Sequence, residues 1–406
     1  MENYKVEIGL DLTTTTIPFI LLDDPVKGIL GSTTYLLGGT TFYDITEDIT
    51  SFNIGRGKTR QLDRYNAGHA SIQLNNMDRK YDPLNADGIY FGQIIPRRPI
   101  RISVNDERVF TGSIDDWDLT YQLSGLSLAQ ASASDNTYLL ANQSLPEIVQ
   151  TSQYSGARVN GVLTNSQVNW PAVIRNVDAG KTLLQADTVT EGTNVLQYIQ
   201  SIAESEPGSF FITKDGSARF RDRWGYASTE DLVFSDDGVG IPYRNIQVVY
   251  GSELLFNQVT VTQKNGVTVV AEDSQSQEDY GILALQLSDL LMETSEDAAL
   301  LAVYLANKYS EPVYRFETLD IQVEKLSLEQ KAKVMALDLG DAVTVEFTPN
   351  QIGSPIIRSV EVINIQHNVT PSTHIIKFGL GSLEGAAWKL SDPIFGKLDV
   401  GNALAY

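Results

Sequence analysis

The sequence contains no cysteine. Disulfides, iron–sulfur clusters and thiolate zinc sites are therefore excluded, although the absence assigns no redox compartment. Histidine is scarce as well. His69, His367 and His374 are the full set, and none stands in an HxxxH or HExxH arrangement. Positive charge is also in short supply: Lys and Arg number 30 against 51 Asp and Glu, a formal net charge of −21. Such a surface repels phosphate backbones and anionic lipid, which disfavours nucleic-acid and membrane-surface roles. A long hydrophobic run near the start is missing too. Ile17–Leu22 spans six residues and contains Pro18, and no basic stretch precedes it. Neither a signal peptide nor direct membrane insertion is expected from this pattern, but a soluble chain that is not exported by a classical route.

The phosphate-loop pattern fails. Two triplets, Gly57-Lys58-Thr59 and Gly180-Lys181-Thr182, tempt that reading, but Phe52 and Arg175 stand where the first loop glycine belongs. Nucleotide binding is not expected. Paired carboxylates offer little more. Neighbours on a strand point to opposite faces, so Asp115 and Asp116 cannot readily flank one sugar, and Asp236-Asp237-Gly238 reads as a turn. No EF-hand spacing is present. The expectation is a protein that is not an enzyme, with no catalytic residue, no cofactor and no metal.

What the sequence does have is alternation. Ala70, Ile72 and Leu74 alternate with Ser71 and Gln73, and Ile100, Ile102 and Val104 alternate with Arg101 and Ser103. A period of two argues half-buried strands. Residues 1–50 read as short strands with turns at Gly31–Thr34 and Gly38–Thr41, and Asp82-Pro83 reads as a turn between strands. A helical stripe follows Asn194 through Val195, Leu196, Ile199, Ile202 and Ala203, with Gln197 at capping-box spacing and Pro207-Gly208 as a stop. Hairpins are expected across Asp215-Gly216 and Asn265-Gly266. A second helix is expected over 295–309, capped by Thr294 and Asp297, with Leu301, Tyr304, Leu305 and Lys308 on one face and Pro312 beyond it. From 313 to 385 the pattern returns to strands. Residues 68–74 and 99–104 echo 316–323 and 341–347, each set followed by two more strands, and the sequence alone leaves duplication open. Against this acidic chain, the basic cluster Arg56, Lys58, Arg60 and Arg64 reads as a subunit contact or as a solvated strand edge that blocks unwanted pairing.

Several stretches together carry a family resemblance. Residues 51–76, with 78–85, 94–104 and 109–117, resemble the first barrel of a bacteriophage minor tail protein, the hub at the tail tip of long-tailed phages. The lead-in 19–28, the stretch Asn176-Val177-Asp178-Ala179-Gly180-Lys181-Thr182-Leu183-Leu184-Gln185, the stretch 256–262, the helix end Lys308-Tyr309-Ser310-Glu311-Pro312, Leu337-Asp338-Leu339-Gly340-Asp341, and Trp388-Lys389-Leu390-Ser391-Asp392 are similar to that family in the same order. Residues 135–170 and the final residues match least. The resemblance implies a mostly β fold with α+β insertions: two tube-like β-barrel domains plus an intervening α+β domain. The corresponding boundaries are 1–133 for the N-terminal segment and first barrel, 134–240 for the α+β insertion, and 241–312 for a connecting hairpin and helix. The second barrel follows at 313–385 and a C-terminal tail at 386–406. It also implies a homotrimer at the virion tail tip, assembled in the host cytoplasm. That trimer would join a six-fold tail tube to three-fold tip components and contact the distal tail or tube protein, the tape measure protein and other tip proteins. DNA would pass its lumen without specific binding, and from the net charge the acidic surplus is expected to line part of that lumen. The larger relatives' long C-terminal extension is not evident, so no appended peptidase, lysozyme or receptor-binding module is expected. The alternative is a carbohydrate-binding β protein that contacts the host envelope, which exposed aromatic clusters on one face would favour.

Overall fold

Residues 3–10, 41–123, 125–223, 225, 227–264, 266–383, 387–388 and 403–404 are described by a computed structural model of the chain. The lead-in 19–28, the turn at 31–34, most of the turn at 38–41, Asn265 and residues 389–392 lie outside the described residues. Two compact units are present. One comprises Met1–Ile54, His69–Asp135 and Val369–Ser372; the other comprises Gly55–Gly68, Asn136–Asn368 and Thr373–Tyr406.

In the first unit the alternation becomes an antiparallel sheet. Asn66–Asn75 pairs with Ser127–Ser134 in a register that sets Ile72 opposite Ala131. Ser127–Ser134 pairs with Glu107–Tyr121, which pairs with Pro99–Val104. Tyr4–Leu10 then lies between Pro99–Val104 and Thr41–Asp44. Ala70, Ile72, Leu74, Ile100, Ile102 and Val104 are all buried, as a one-sided core demands. Between the strands, 76–98 runs as successive turns. Asp82 accepts the Leu84 amide at 2.9 Å and the Tyr121 hydroxyl at 2.8 Å, which shapes the expected Asp82-Pro83 turn. Tyr81 stacks on Trp117 with centroids 5.9 Å apart.

The second unit repeats this wiring. In chain order, Ile49–Gly57, Asn66–Asn75, Pro99–Val104, Glu107–Tyr121 and Ser127–Ser134 occupy the spatial order first, second, fifth, fourth, third. Asn245–Tyr250, Tyr314–Gln322, Asp341–Phe347, Ile356–Val369 and His374–Ser382 occupy the same order. The segments that echo one another in sequence thus hold equivalent places. A sixth strand flanks the third in both sets, but its direction differs: Tyr4–Leu10 is antiparallel to its neighbour and Ala227–Phe234 is parallel.

Two smaller bodies complete the second unit. Helix Val195–Ser205 is capped by Asn194, whose side chain accepts the Gln197 amide at 3.0 Å. It buries Val195, Ile199 and Ile202 against Val159, Val162, Phe210 and Phe220. The hairpin Ser209–Ile212 to Ala218–Arg221 follows it. Helix Ser295–Tyr309, capped by Thr294, covers a three-stranded sheet of Gln258–Gln263, Thr268–Glu272 and Ala284–Leu290. Its buried face differs from expectation in one respect: Ala298, Ala302, Ala306 and Tyr309 join Leu301 and Leu305, because small side chains let the helix approach the sheet closely. The all-strand reading of 313–385 also needs correction. Leu328–Ala336 is a helix with a complete capping box between Ser327 and Gln330.

Phe110, fully buried in the first sheet, should cost about 3–5 kcal/mol when truncated to alanine. Leu84→Ala, at a position 85% exposed, should stay within about 0.5 kcal/mol. Urea unfolding of the two variants checks the contrast.

Candidate assembly site at the basic cluster

The four cations of the cluster differ in their surroundings within the second unit. Strand Ile49–Gly57 presents Phe52, Ile54 and Arg56 at every second position, and all three are buried. Arg56 therefore points inward. Its Nη1 lies 2.8 Å from Asp338 Oδ1, and its Nη2 donates to the Ile212 carbonyl at 2.9 Å. This guanidinium is used up inside the unit. Gly57 follows at φ +119°, where a Cβ would lie 2.3 Å from the Ile363 carbonyl oxygen, so only glycine fits.

That close approach lets the Lys58 amide donate to the Ile363 carbonyl at 2.9 Å, and the Lys58 side chain is half-buried. Its ammonium donates to the Gln61 carbonyl at 2.7 Å and lies 4.8 Å from the centre of the Tyr65 ring. Burial pushes it down to about 8, with Glu361 only partly opposing. Arg60 and Arg64 face outward. Arg60 Nε is 3.0 Å from Glu253, both well exposed, and Arg64 grips Glu204 with two bonds of 2.5 and 2.8 Å.

Under Lys58 lies a pair that sequence reasoning missed. Arg221 Nη2 sits 2.5 Å from Glu361 Oε1, with both side chains 6% exposed. Arg221 also donates to the Gly340 carbonyl at 2.7 Å and the Ser209 hydroxyl at 3.0 Å, and the Tyr65 hydroxyl donates to Glu361 at 3.3 Å. Burial alone would raise the Glu361 carboxyl, but Arg221 and Lys58 outweigh it and hold Glu361 below the ordinary range. Asp341, in the adjoining turn, goes the other way. Burial raises it to about 6, against the Asp338 amide that donates to it at 2.8 Å.

The remaining candidates are placed elsewhere. Gly180-Lys181-Thr182 does cradle an anion, but an internal one: the Lys181 and Thr182 amides donate to Glu206 Oε2 at 3.0 and 2.7 Å, beside the Ser155 hydroxyl at 2.7 Å. Asp115 is taken by Arg97 and Ser134, each at 2.5 Å, while Asp116 is exposed. Asp237 accepts the Val239 amide at 2.8 Å, and Asp236 accepts the Thr348 amide at 2.8 Å. His69 is exposed on its strand. His367 and His374, which the sequence gives no reason to join, meet at 3.0 Å in the interior, where burial and His374 keep His367 well below its ordinary value. Among the described residues, no group of three or more His, Asp or Glu could hold a metal ion, and no helix is long and apolar enough to cross a membrane.

This doubled, mostly β architecture with α+β insertions is shared with solved phage tail proteins. The 43 kDa tail protein of prophage MuSo2 from Shewanella oneidensis matches it at a TM-score of 0.59 and 13% identity, over 95% of this chain and 98% of that one. A tail protein from Neisseria meningitidis matches at 0.56 and 12% identity, over 93% and 96%. Prophage tail protein gp18 from Listeria monocytogenes matches at 0.51 and 10% identity, over 93% and 95%. At such identities the likeness is one of fold. No protein-family model matches the sequence, and no curated protein matches it.

Two measurements test the site's energetics. Arg56→Ala strands Asp338 without its cation and should cost about 3 kcal/mol in urea unfolding, whereas Arg64→Ala, at an exposed pair, should cost less than about 1 kcal/mol. The raised Asp341 value gives a pH signature. Its contribution to stability is complete below the free-carboxyl value near 4 and is lost as pH rises through about 6. Asp341→Asn should therefore flatten stability between pH 4 and 7 and stabilise the protein at pH 7 by on the order of 2 kcal/mol.

Proposed function

We propose that this chain is a structural component of a phage tail tip, a trimeric hub that joins a six-fold tail tube to three-fold tip components. One observation carries the reading beyond the shared fold: the same five-strand order occurs twice in one chain. Three copies of a chain with two equivalent sheets offer six nearly equivalent edges to a six-fold tube, whereas a chain with one sheet would need six copies. In this reading each sheet closes into a tube-like barrel beside its counterparts in the ring, and the α+β bodies hang outside or below it. DNA passes through the lumen without specific binding, because acidic walls repel its phosphates. The tape measure protein and the distal tail or tube protein are the neighbours, and the virion tail tip is the location. Catalysis has no part in the mechanism.

Arg60 and Arg64 are the members of the basic cluster suited to a subunit contact. Their present partners, Glu253 and Glu204, lie in the same unit at exposed sites, so exchanging them for carboxylates of a neighbouring copy costs little. Arg56 and Lys58 support the site from within.

Light scattering coupled to gel filtration, at low and moderate salt, tests the hub. The expected species is a trimer or larger ring, and electron microscopy should show three lobes. An Arg60→Glu, Arg64→Glu double variant should weaken assembly at least about tenfold while leaving the urea midpoint nearly unchanged. A strictly monomeric protein at every concentration, with no ring on adding neighbouring tail proteins, rejects the reading.

A further inference from the structure

Lys58 lines a cleft of about 200 Å³ inside the second unit, whose walls also include Arg221, Leu301, Tyr304, Leu305 and Lys308. We propose that this cleft is a receptor for a single carboxylate side chain, an aspartate or glutamate with apolar neighbours, carried by another polypeptide. The proposal goes beyond the hub reading and does not depend on the trimer, since the pocket is complete in one unit of one chain.

The charge inventory points to an anion. Four cations line the cleft, Lys58, Arg64, Arg221 and Lys308, against three acids, Asp63, Glu204 and Glu361, in a chain whose net charge is −21. Arg221 is matched by Glu361 and Arg64 by Glu204. Lys58 is held differently. It has the Gln61 carbonyl and the face of Tyr65, but among the described residues no carboxylate lies within ion-pair distance of it. Lys308 stands over the same cleft, with its ammonium 5.6 Å from the centre of the Tyr309 ring and 5.8 Å from that of Tyr304. A part-buried ammonium with no carboxylate in ion-pair distance is incompletely matched, and an incoming carboxylate would supply a charged acceptor there.

Size and charge narrow the ligand further. The cleft is smaller than the roughly 300–1,000 Å³ of ordinary cofactor and small-molecule sites, so it suits one side chain. Glu361 in the floor and Glu204 at the wall would repel a phosphate dianion more strongly than a carboxylate. Leu301 and Leu305 supply apolar wall, which favours a polypeptide with hydrophobic flanks over a free acid. The groups that set the state of Lys58 are Glu361, Arg221, Asp63 and Lys308, with the Tyr65 ring against its ammonium. Burial leaves Lys58 at about 8, so the receptor should work at neutral pH and fail in mild alkali.

The full chain labelled at lysine side-chain carbons, observed by NMR, gives the test. The probes are two blocked tripeptides, leucine on either side of a central glutamate or glutamine, and sodium acetate. The glutamate peptide should shift the Lys58 and Lys308 signals and bind at least about tenfold tighter than either the glutamine peptide or acetate. Its affinity should fall several-fold between pH 7.5 and 9 as Lys58 loses its proton. Lys58→Arg should keep the preference and remove that pH dependence; Lys58→Met should erase the preference. Equal binding of the two peptides, equal binding of acetate, or no shift at Lys58 with millimolar glutamate peptide overturns the proposal. So does a glutamate preference that survives in Lys58→Met. None of these results bears on whether the protein forms a ring, which light scattering reads separately.

Discussion

The Arg221–Glu361 pair, buried and 2.5 Å apart, is the contact around which the second unit is organised. A buried ion pair loses more hydration than Coulomb attraction returns unless its other donors and acceptors are filled. Here they are filled by neighbours from distant parts of the sequence: Gly340 and Ser209 for the guanidinium, Tyr65 for the carboxylate. The turn at 338–341 does double service. Its Asp338 carboxylate takes Arg56 and the Lys214 amide, and its Gly340 carbonyl takes Arg221. Gly340 sits at φ +86°, and a Cβ there would lie 2.3 Å from Arg221 Nη1. The glycine is thus demanded both by the backbone and by the guanidinium packed against it.

Much of the architecture was legible from the sequence, for identifiable reasons. Strands such as Asn66–Asn75 bury one face only, so their alternation survives in the sequence. The helices Val195–Ser205 and Ser295–Tyr309 announce themselves through Asn194 and Thr294. The helix Leu328–Ala336 escaped notice because its stripe is weak, with only Val334 and Met335 buried, although Ser327 and Gln330 carry a capping box. Ala284–Leu290 was illegible for a related reason: it is an outer strand of a three-stranded sheet, and most of its residues are partly or fully exposed.

The site was half legible. Four cations stood out by charge, but charge alone does not say which way each side chain points. Arg56 shares parity with Phe52 and Ile54, so the rule that found the strands also places it in the core. Its partner Asp338 is separated from it by most of the chain, Glu361 lies 140 residues from Arg221, and no local pattern reveals such pairings. The phosphate-loop triplet at 180–182 fails on spacing. The structure adds the positive reason, since Glu206 already occupies the amides that a phosphate would need.

The doubled sheets differ in when their strands become available. All strands of the first sheet lie before Asp135, so the whole set has been synthesised by then, although Tyr4–Leu10 must wait for Pro99–Val104. In the second, Ala227–Phe234 must wait for Asp341–Phe347, and Asn245–Tyr250 for Tyr314–Gln322. Loop closure over such separations is slow, and strands without neighbours expose open edges meanwhile. The two halves of one wiring diagram therefore have unequal birth histories: the first is fully made once Ser127–Ser134 has emerged, while the second waits for His374–Ser382, and until then its unpaired strands are targets for chaperones and for mispairing with other nascent copies.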